Sequence, residues 1–217
     1  MPTIRRASPD DAGFIAWTIL MSQRGHRPRG WFDIALDRPE PECLAFVRAL
    51  AVASTRSIWH VSRFWIAEAD GVPAAALCAL PARDISPTAR PAIEEVMHTV
   101  GLDAGEQAAA WQRSGYLRLC WIPGNDDNWM IEHVATRPSH RGRGLVQGLL
   151  AHALKEGAEL GFTRAAIPFL IGNAAAERSY ARAGFALAEE KRDASFEART
   201  GAAGFRRFER GISAPEI

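Results

Sequence analysis

The stretch from Trp129 to Leu160 constrains the rest of this chain more than any other. It opens with Trp129-Met130-Ile131-Glu132-His133-Val134-Ala135-Thr136, a β-rich run that ends before Pro138, which cannot extend a ladder. Arg141-Gly142-Arg143-Gly144 follows, and its glycines allow backbone conformations closed to residues with a Cβ. Beyond the turn, Leu145, Leu149, Leu150, Ala153, Leu154 and Ala158 recur at helical spacing. The order is strand, tight turn, helix. A glycine-rich turn feeding a helix N-terminus is an anion site, because free backbone N–H groups point outward and the helix dipole favours negative charge. Arg141 and Arg143 add two positive side chains beside those amides, so the turn is expected to hold a phosphate or pyrophosphate.

Two common phosphate signatures do not apply. The dinucleotide fingerprint needs a third glycine where Gln147 stands, and the P-loop ends in Gly-Lys-Ser/Thr, which is absent. The residues Val134-Ala135-Thr136-Arg137-Pro138, followed by Arg141-Gly142-Arg143-Gly144-Leu145-Val146, instead resemble the acetyl-CoA-binding motif of the GNAT superfamily of N-acetyltransferases. Arg141, Gly144 and Val146 fall on the three fixed places of Arg/Gln-x-x-Gly-x-Gly/Ala, with Val146 standing where the motif has a small residue. A second landmark of that family, Asn-x-x-Ala, three residues, then Tyr-x-x-x-Gly-Phe, is matched by Asn173, Ala176, Tyr180, Gly184 and Phe185. Each has its own physical reading. Asn173 suits a helix N-cap, Ala176 and Tyr180 share a helix face, and Gly184 supplies a left-handed C-terminal turn.

The resemblance implies an α+β fold in α/β/α layers: a mixed, mostly antiparallel central sheet flanked by helices, as one domain over residues 1–217. The local signals fill in the other elements. Thr3–Arg6 reads as a strand, and Ser8-Pro9-Asp10-Asp11 starts a helix that stops at Gly25. Arg24 to Pro41 reads as an irregular loop, and a helix is expected from about Glu42 to Ser54. Arg63 to Leu80 is a hairpin about Asp70-Gly71, with Pro73 marking an edge or a bulge. Residues 81–127 read as a helical insertion before the central strand, in which Asp103 and Glu106 form a capping box and Tyr116–Ile122 is a strand of undecided place. Phe162–Leu170 is a strand, Asn173–Arg182 a helix, and 185–192 with 204–211 a closing antiparallel pair joined by Asp193–Ala203.

Composition excludes more than it assigns. With 217 residues, 47% hydrophobic, the chain can bury one sizeable core. A net charge of +1 gives no general pull toward nucleic acid or acidic membranes. No run approaches the roughly 20 apolar residues of a membrane span, and Met1–Arg6 lacks the apolar core of a signal peptide. Cys43, Cys78 and Cys120 are widely spaced, which argues for a reducing, cytoplasmic setting and for three buried small hydrophobes rather than structural zinc. No histidine pair has metal-ligand spacing, so no metal is expected.

What the resemblance implies chemically is direct acyl transfer from acetyl-CoA to an amine in a ternary complex. Backbone groups of Val134, Ala135 and Thr136 are then expected to hold the pantetheine arm as an added strand, and the turn Arg141–Val146, with Asn173, to take the rest of the co-substrate. The amine must lose a proton to attack, the thioester oxygen needs donors, and the leaving thiolate, pKa ~8.5, benefits from a proton. Glu132 is the candidate base, acting through a water, and Tyr180 the candidate acid. Glu132 lies two residues before Val134, so strand alternation places both on one face. His133 is the rival base, alternation putting it on the opposite face, and a bare water chain is the third possibility. Two other classes stay open: a non-catalytic acyl-CoA-binding module, and an acyltransferase using a longer acyl-CoA. The acceptor is unassigned; Trp31, Trp111, Trp121 and nearby arginines fit an aromatic or acidic acceptor and equally fit ordinary packing. A homodimer is compatible with edge strands near the C-terminus.

Overall fold

The computed structural model describes residues 2–212. A seven-stranded sheet runs β1 (Thr3–Arg6), β2 (Phe64–Ala69), β3 (Val72–Pro81), β4 (Asn128–Thr136), β5 (Arg164–Leu170), β7 (Gly204–Gly211), β6 (Ala186–Arg192) in spatial order. Every neighbouring pair is antiparallel except β4 and β5, which are parallel. Asp70-Gly71 makes the β2–β3 turn, both residues with positive φ, as a two-residue hairpin requires. The ladder slips by one residue opposite Pro73, between Ala67 and Glu68, so Pro73 marks a bulge inside the sheet rather than an edge.

Helices cover both faces. Helices α1 (Ala12–Arg24) and α3 (Glu40–Ala51) pack on one, where Ile15, Ile19, Val47 and Leu50 meet Phe64, Ala76, Cys78 and Met130. Helix α7 (Leu145–Glu159) covers the other, where Leu149, Leu150 and Ala153 meet Leu77, Ala79, Trp129, Ile131 and Phe208. Alternate residues of β3 go to alternate clusters, the period-two pattern of a strand buried on both sides. Burying each large aliphatic side chain here is worth about 1.5–3 kcal/mol.

The seat of α7 is tight. Trp129 donates its indole N–H to Ala153 O at 2.8 Å, and a Cβ added to Gly157 would lie 2.7 Å from the Trp129 ring and 3.1 Å from Ile212. Gly157→Ala recovers at most ~1 kcal/mol of helix propensity, against about 1–3 kcal/mol for overpacking a close-packed site. A net loss is therefore expected, read as a melting temperature about 2–6 °C lower. An unchanged or higher value would mean that α7 slides outward freely.

Four segments differ from the sequence expectation. Arg24–Pro41 is not wholly irregular: α2 (Trp31–Leu36) forms there, and α3 begins at Glu40. Asp33 builds α2 by accepting from Gly30 N at 2.8 Å and from Arg24 at 2.6 and 2.9 Å, which ties α2 to the end of α1. Within 81–127, the first helix is longer than the stripe of Ile93, Val96, Met97 and Val100 by which the sequence marks it: α4 (Ile85–Thr99) takes in Pro91. The second, α5 (Ala104–Ser114), starts on the expected Asp103/Glu106 capping box, each partner bonding at 2.9 Å. Tyr116–Ile122 is no strand but one helical turn, α6 (Leu117–Cys120), because Tyr116 packs on Phe196 and Trp121 on Phe205. Asp193–Ala203 is more than a connection: it holds α9 (Ala194–Thr200), capped by Asp193. Lys191 donates to Trp121 O at 3.2 Å and Arg207 to Pro123 O. The inserted segment thus spans from α2 to the β6–β7 edge.

Candidate active site

Strands β4 and β5 pair only from Asn128 to Met130 against Arg164 to Ala166. Past that point they separate, and the gap opens into a cleft of about 1770 Å³ that extends beneath the helices. Its walls include Ile131–Thr136, Ile167–Leu170, the turn Arg141–Gln147, and Tyr180 of α8 (Ala174–Arg182). Two local causes act at the parting. Pro168 has no N–H to give a ladder, and β4 carries a bulge at His133.

The bulge changes which side chains share a face. Cys78 pairs with Glu132 and Ala76 with Ala135, so Leu77 alone faces the two residues His133 and Val134. His133 takes φ +51°, a left-handed conformation seldom used by residues other than glycine. Its ring stacks with Phe64 at 6.2 Å, and its Nδ1 lies 3.2 Å from Ser22 Oγ of α1. The Ser22 hydroxyl proton is committed to Ile19 O at 2.8 Å, so Ser22 Oγ accepts from Nδ1–H and Nε2 keeps its lone pair. Both Glu132 and His133 therefore lie on the α1 side of the sheet, while Val134 packs with the α7 cluster. This corrects the alternation argument: Glu132 and Val134 do not share a face, and Glu132 and His133 do.

Burial sets the protonation of both. Glu132 is 9% exposed, its Oε1 is enclosed without a hydrogen-bond partner, and desolvation raises its carboxyl to about 8. His133 is 6% exposed, and desolvation lowers its imidazole to about 3, so it is neutral at ordinary pH. Across the cleft, Tyr180 is buried with its ring edge-on to Phe169 at 5.5 Å. Desolvation, and then the nearby Glu132 charge, push its hydroxyl above the ordinary tyrosine range, so it stays protonated.

At the cleft's other end the turn has the backbone its sequence requires. Gly142 and Gly144 sit at φ +78° and +74°, in open space, and Gly144 is the N-cap of α7. The glycines are needed for φ, not for room. Arg141 is exposed at this turn. Arg143 meets Asp70 in an exposed pair: its guanidinium is 2.6 Å from that carboxylate, with His140 3.5 Å from the same group. Leu145 is buried in the α7 cluster, and half-buried Val146 packs against it while lining the cleft. Asn173 caps α8, its Oδ1 accepting from Ala176 N at 3.2 Å, and also lines the cleft. Gln147 joins the two helices by donating to Ser179 O at 2.9 Å. The roles of Ser22, Asp70 and Gln147 carry no sequence signal, since each depends on a partner 111, 73 or 32 residues away.

These features fit a long acyl-thioester ligand with a diphosphate. Outward amides at a 15-residue helix's N-terminus suit the diphosphate, and the β4 edge past Met130, unpaired with β5, suits an extended amide-bearing arm. Among the described residues no cluster of three or more metal-ligating side chains occurs, and no helix is long and apolar enough to cross a membrane.

Residues 31–185 match the model of the acetyltransferase (GNAT) family. No curated protein matches the chain in sequence. Among solved structures, an acetyltransferase is similar at TM-score 0.70 and 19% identity, covering 97% of this chain and 100% of its own. An N-acetyltransferase from Staphylococcus aureus Mu50 is similar at 0.67 and 19%, with 96% and 100% covered. An N-acetylglutamate synthase from Neisseria gonorrhoeae, complexed with coenzyme A and N-acetyl-glutamate, is similar at 0.50 and 17%, with 98% of this chain and 35% of that chain covered. The chain belongs to the GNAT family of acetyltransferases and is an acyltransferase enzyme.

Proposed function

We propose that this enzyme moves an acetyl group from acetyl-CoA to an amine by direct attack, with both substrates bound in the β4–β5 cleft. The observation that carries the reading is the placing of Glu132 and Tyr180 in one cleft that ends at the Gly142–Gly144 turn. The co-substrate supplies the activated acetyl group; the residues do the rest. Backbone groups of Val134, Ala135 and Thr136 pair with the pantetheine arm, and a β4 N–H at the bulge donates to the thioester oxygen as charge develops there. Glu132, once ionised, takes the amine proton through a water. Tyr180, protonated in the resting site, gives a hydrogen bond and then its proton to the departing thiolate.

Of the two arginines at the turn, Arg141 offers its whole charge toward phosphate, while Arg143 shares its own with Asp70 in an exposed pair. Calorimetric titration with acetyl-CoA is expected to give micromolar binding. Arg141→Glu replaces a charge-assisted contact with a repulsive one and should weaken binding at least tenfold, about 1.4 kcal/mol or more. Equal affinities would take the diphosphate away from this turn. No binding to the unaltered protein at millimolar ligand would remove the acetyltransferase mechanism proposed here.

A further inference from the structure

The half of the cleft beyond Glu132, away from the glycine turn, is walled by aromatic rings from separate elements. Trp31 and Trp59 stack with centroids 6.3 Å apart and planes 11° off parallel. Trp111 of α5 lies beside Trp31 along one small void, and Trp121 follows α6. All four line the cleft. Two arginines stand on this wall. Arg90 lies 5.0 Å from the Trp111 ring centre, and its Nε donates to Glu94 at 2.7 Å, so its charge is shared with that carboxylate. Arg118 is exposed, its guanidinium folded against Gly115, and both residues line the cleft. The lining acids are Asp126 and the enclosed Glu132.

These two properties select among amines. An acceptor's aromatic body gains offset stacking and apolar burial against the indoles. Any second ammonium group would keep its charge at neutral pH, as a lysine does, and would face Arg118. The Trp111 ring already has a guanidinium close by, which lowers its value as a cation-binding surface. A carboxylate, by contrast, finds in Arg118 a guanidinium of the right sign and planar geometry.

We propose that the acceptor is a primary amine on an aromatic body that also bears a carboxylate, the chemistry of an aromatic amino acid. This rests on the acetyl-transfer reading above and names its second substrate. The alternative that the same fold readily serves, a polyamine, is disfavoured by the charge of this wall.

The test is a steady-state comparison of L-tryptophan and L-phenylalanine with phenethylamine, which lacks the carboxylate, and with spermidine. Expected is a kcat/KM for the better aromatic acid about tenfold above phenethylamine, the effect of one charge-assisted contact, and at least a hundredfold above spermidine. Arg118→Gln should remove most of the advantage over phenethylamine, and Trp111→Ala should raise KM for all three aromatic probes. Spermidine turned over as well as the aromatic acids would overturn the proposal, as would phenethylamine matching the acids in the unaltered enzyme. Should no probe turn over, calorimetric titration of the coenzyme-A-bound protein decides: saturable binding of L-phenylalanine but not of spermidine sustains it, and any other result overturns it. Failure of the underlying reading is seen separately, as absent acetyl-CoA binding in a titration containing no amine.

Discussion

Tyr180→Phe is expected to lower kcat by about two to three orders of magnitude, the range a positioned proton donor supplies, while acetyl-CoA affinity stays within about threefold. The substitution removes one oxygen and keeps the ring against Phe169, whose centroid lies 5.5 Å away. A packing tyrosine would lose little from that change, so the variant separates a chemical role from a structural one. Burial raises the hydroxyl's pKa, so the resting enzyme holds the proton ready at every working pH. The loss should therefore fall on kcat and be flat with pH. It should shrink with an acetyl donor whose leaving thiol is more acidic, because such a thiolate needs a proton less. A kcat within threefold of the unaltered enzyme, at unchanged melting temperature, would return Tyr180 to packing alone.

How much of this was legible beforehand depends on how local the cause is. The Gly142–Gly144 turn, the Asp103–Glu106 box, the Asn173 cap and the Asp70-Gly71 hairpin are short-range devices, and their residues announce them. Helix α2 escaped because six residues carry no readable period, and its anchor is the pairing of Asp33 with Arg24. Tyr116–Ile122 escaped because its apolar residues are bought by contacts with Phe196 and Phe205, far along the chain. The face of Glu132 was misjudged for a sharper reason. Alternation holds from Trp129 to Glu132, and one inserted residue then moves everything beyond it to the other side. Nothing in His133 as a residue type marks that bulge; Phe64 and Ser22 hold it there.

Glu132→Gln is expected to alter rate and stability through one ionisation. The carboxyl titrates near 8 when buried, against 4.5 in an open chain, so at pH 7 only about a tenth of it is ionised. If the ionised form is the base, kcat/KM should climb roughly tenfold per pH unit below 8 and level off above it. The glutamine variant should be slower by about tenfold to a hundredfold at pH 8 and lose that climb. Stability must move the opposite way. A folded-state value above the unfolded one means that the folded chain binds the extra proton, so this contribution is complete below 4.5 and disappears as pH rises through about 8. Across that span the unaltered protein gives up roughly 5 kcal/mol at most, and glutamine, with nothing to ionise, does not. The melting temperatures of the two should lie close at pH 5, with the variant ahead at pH 9. Two outcomes then discriminate cleanly. A variant that gains stability at high pH yet keeps both its rate and its pH dependence would show a buried carboxyl with no part in proton transfer, leaving the water chain as the base. A variant with neither effect would mean that Glu132 is already ionised near pH 7, solvated by the cleft rather than enclosed in it.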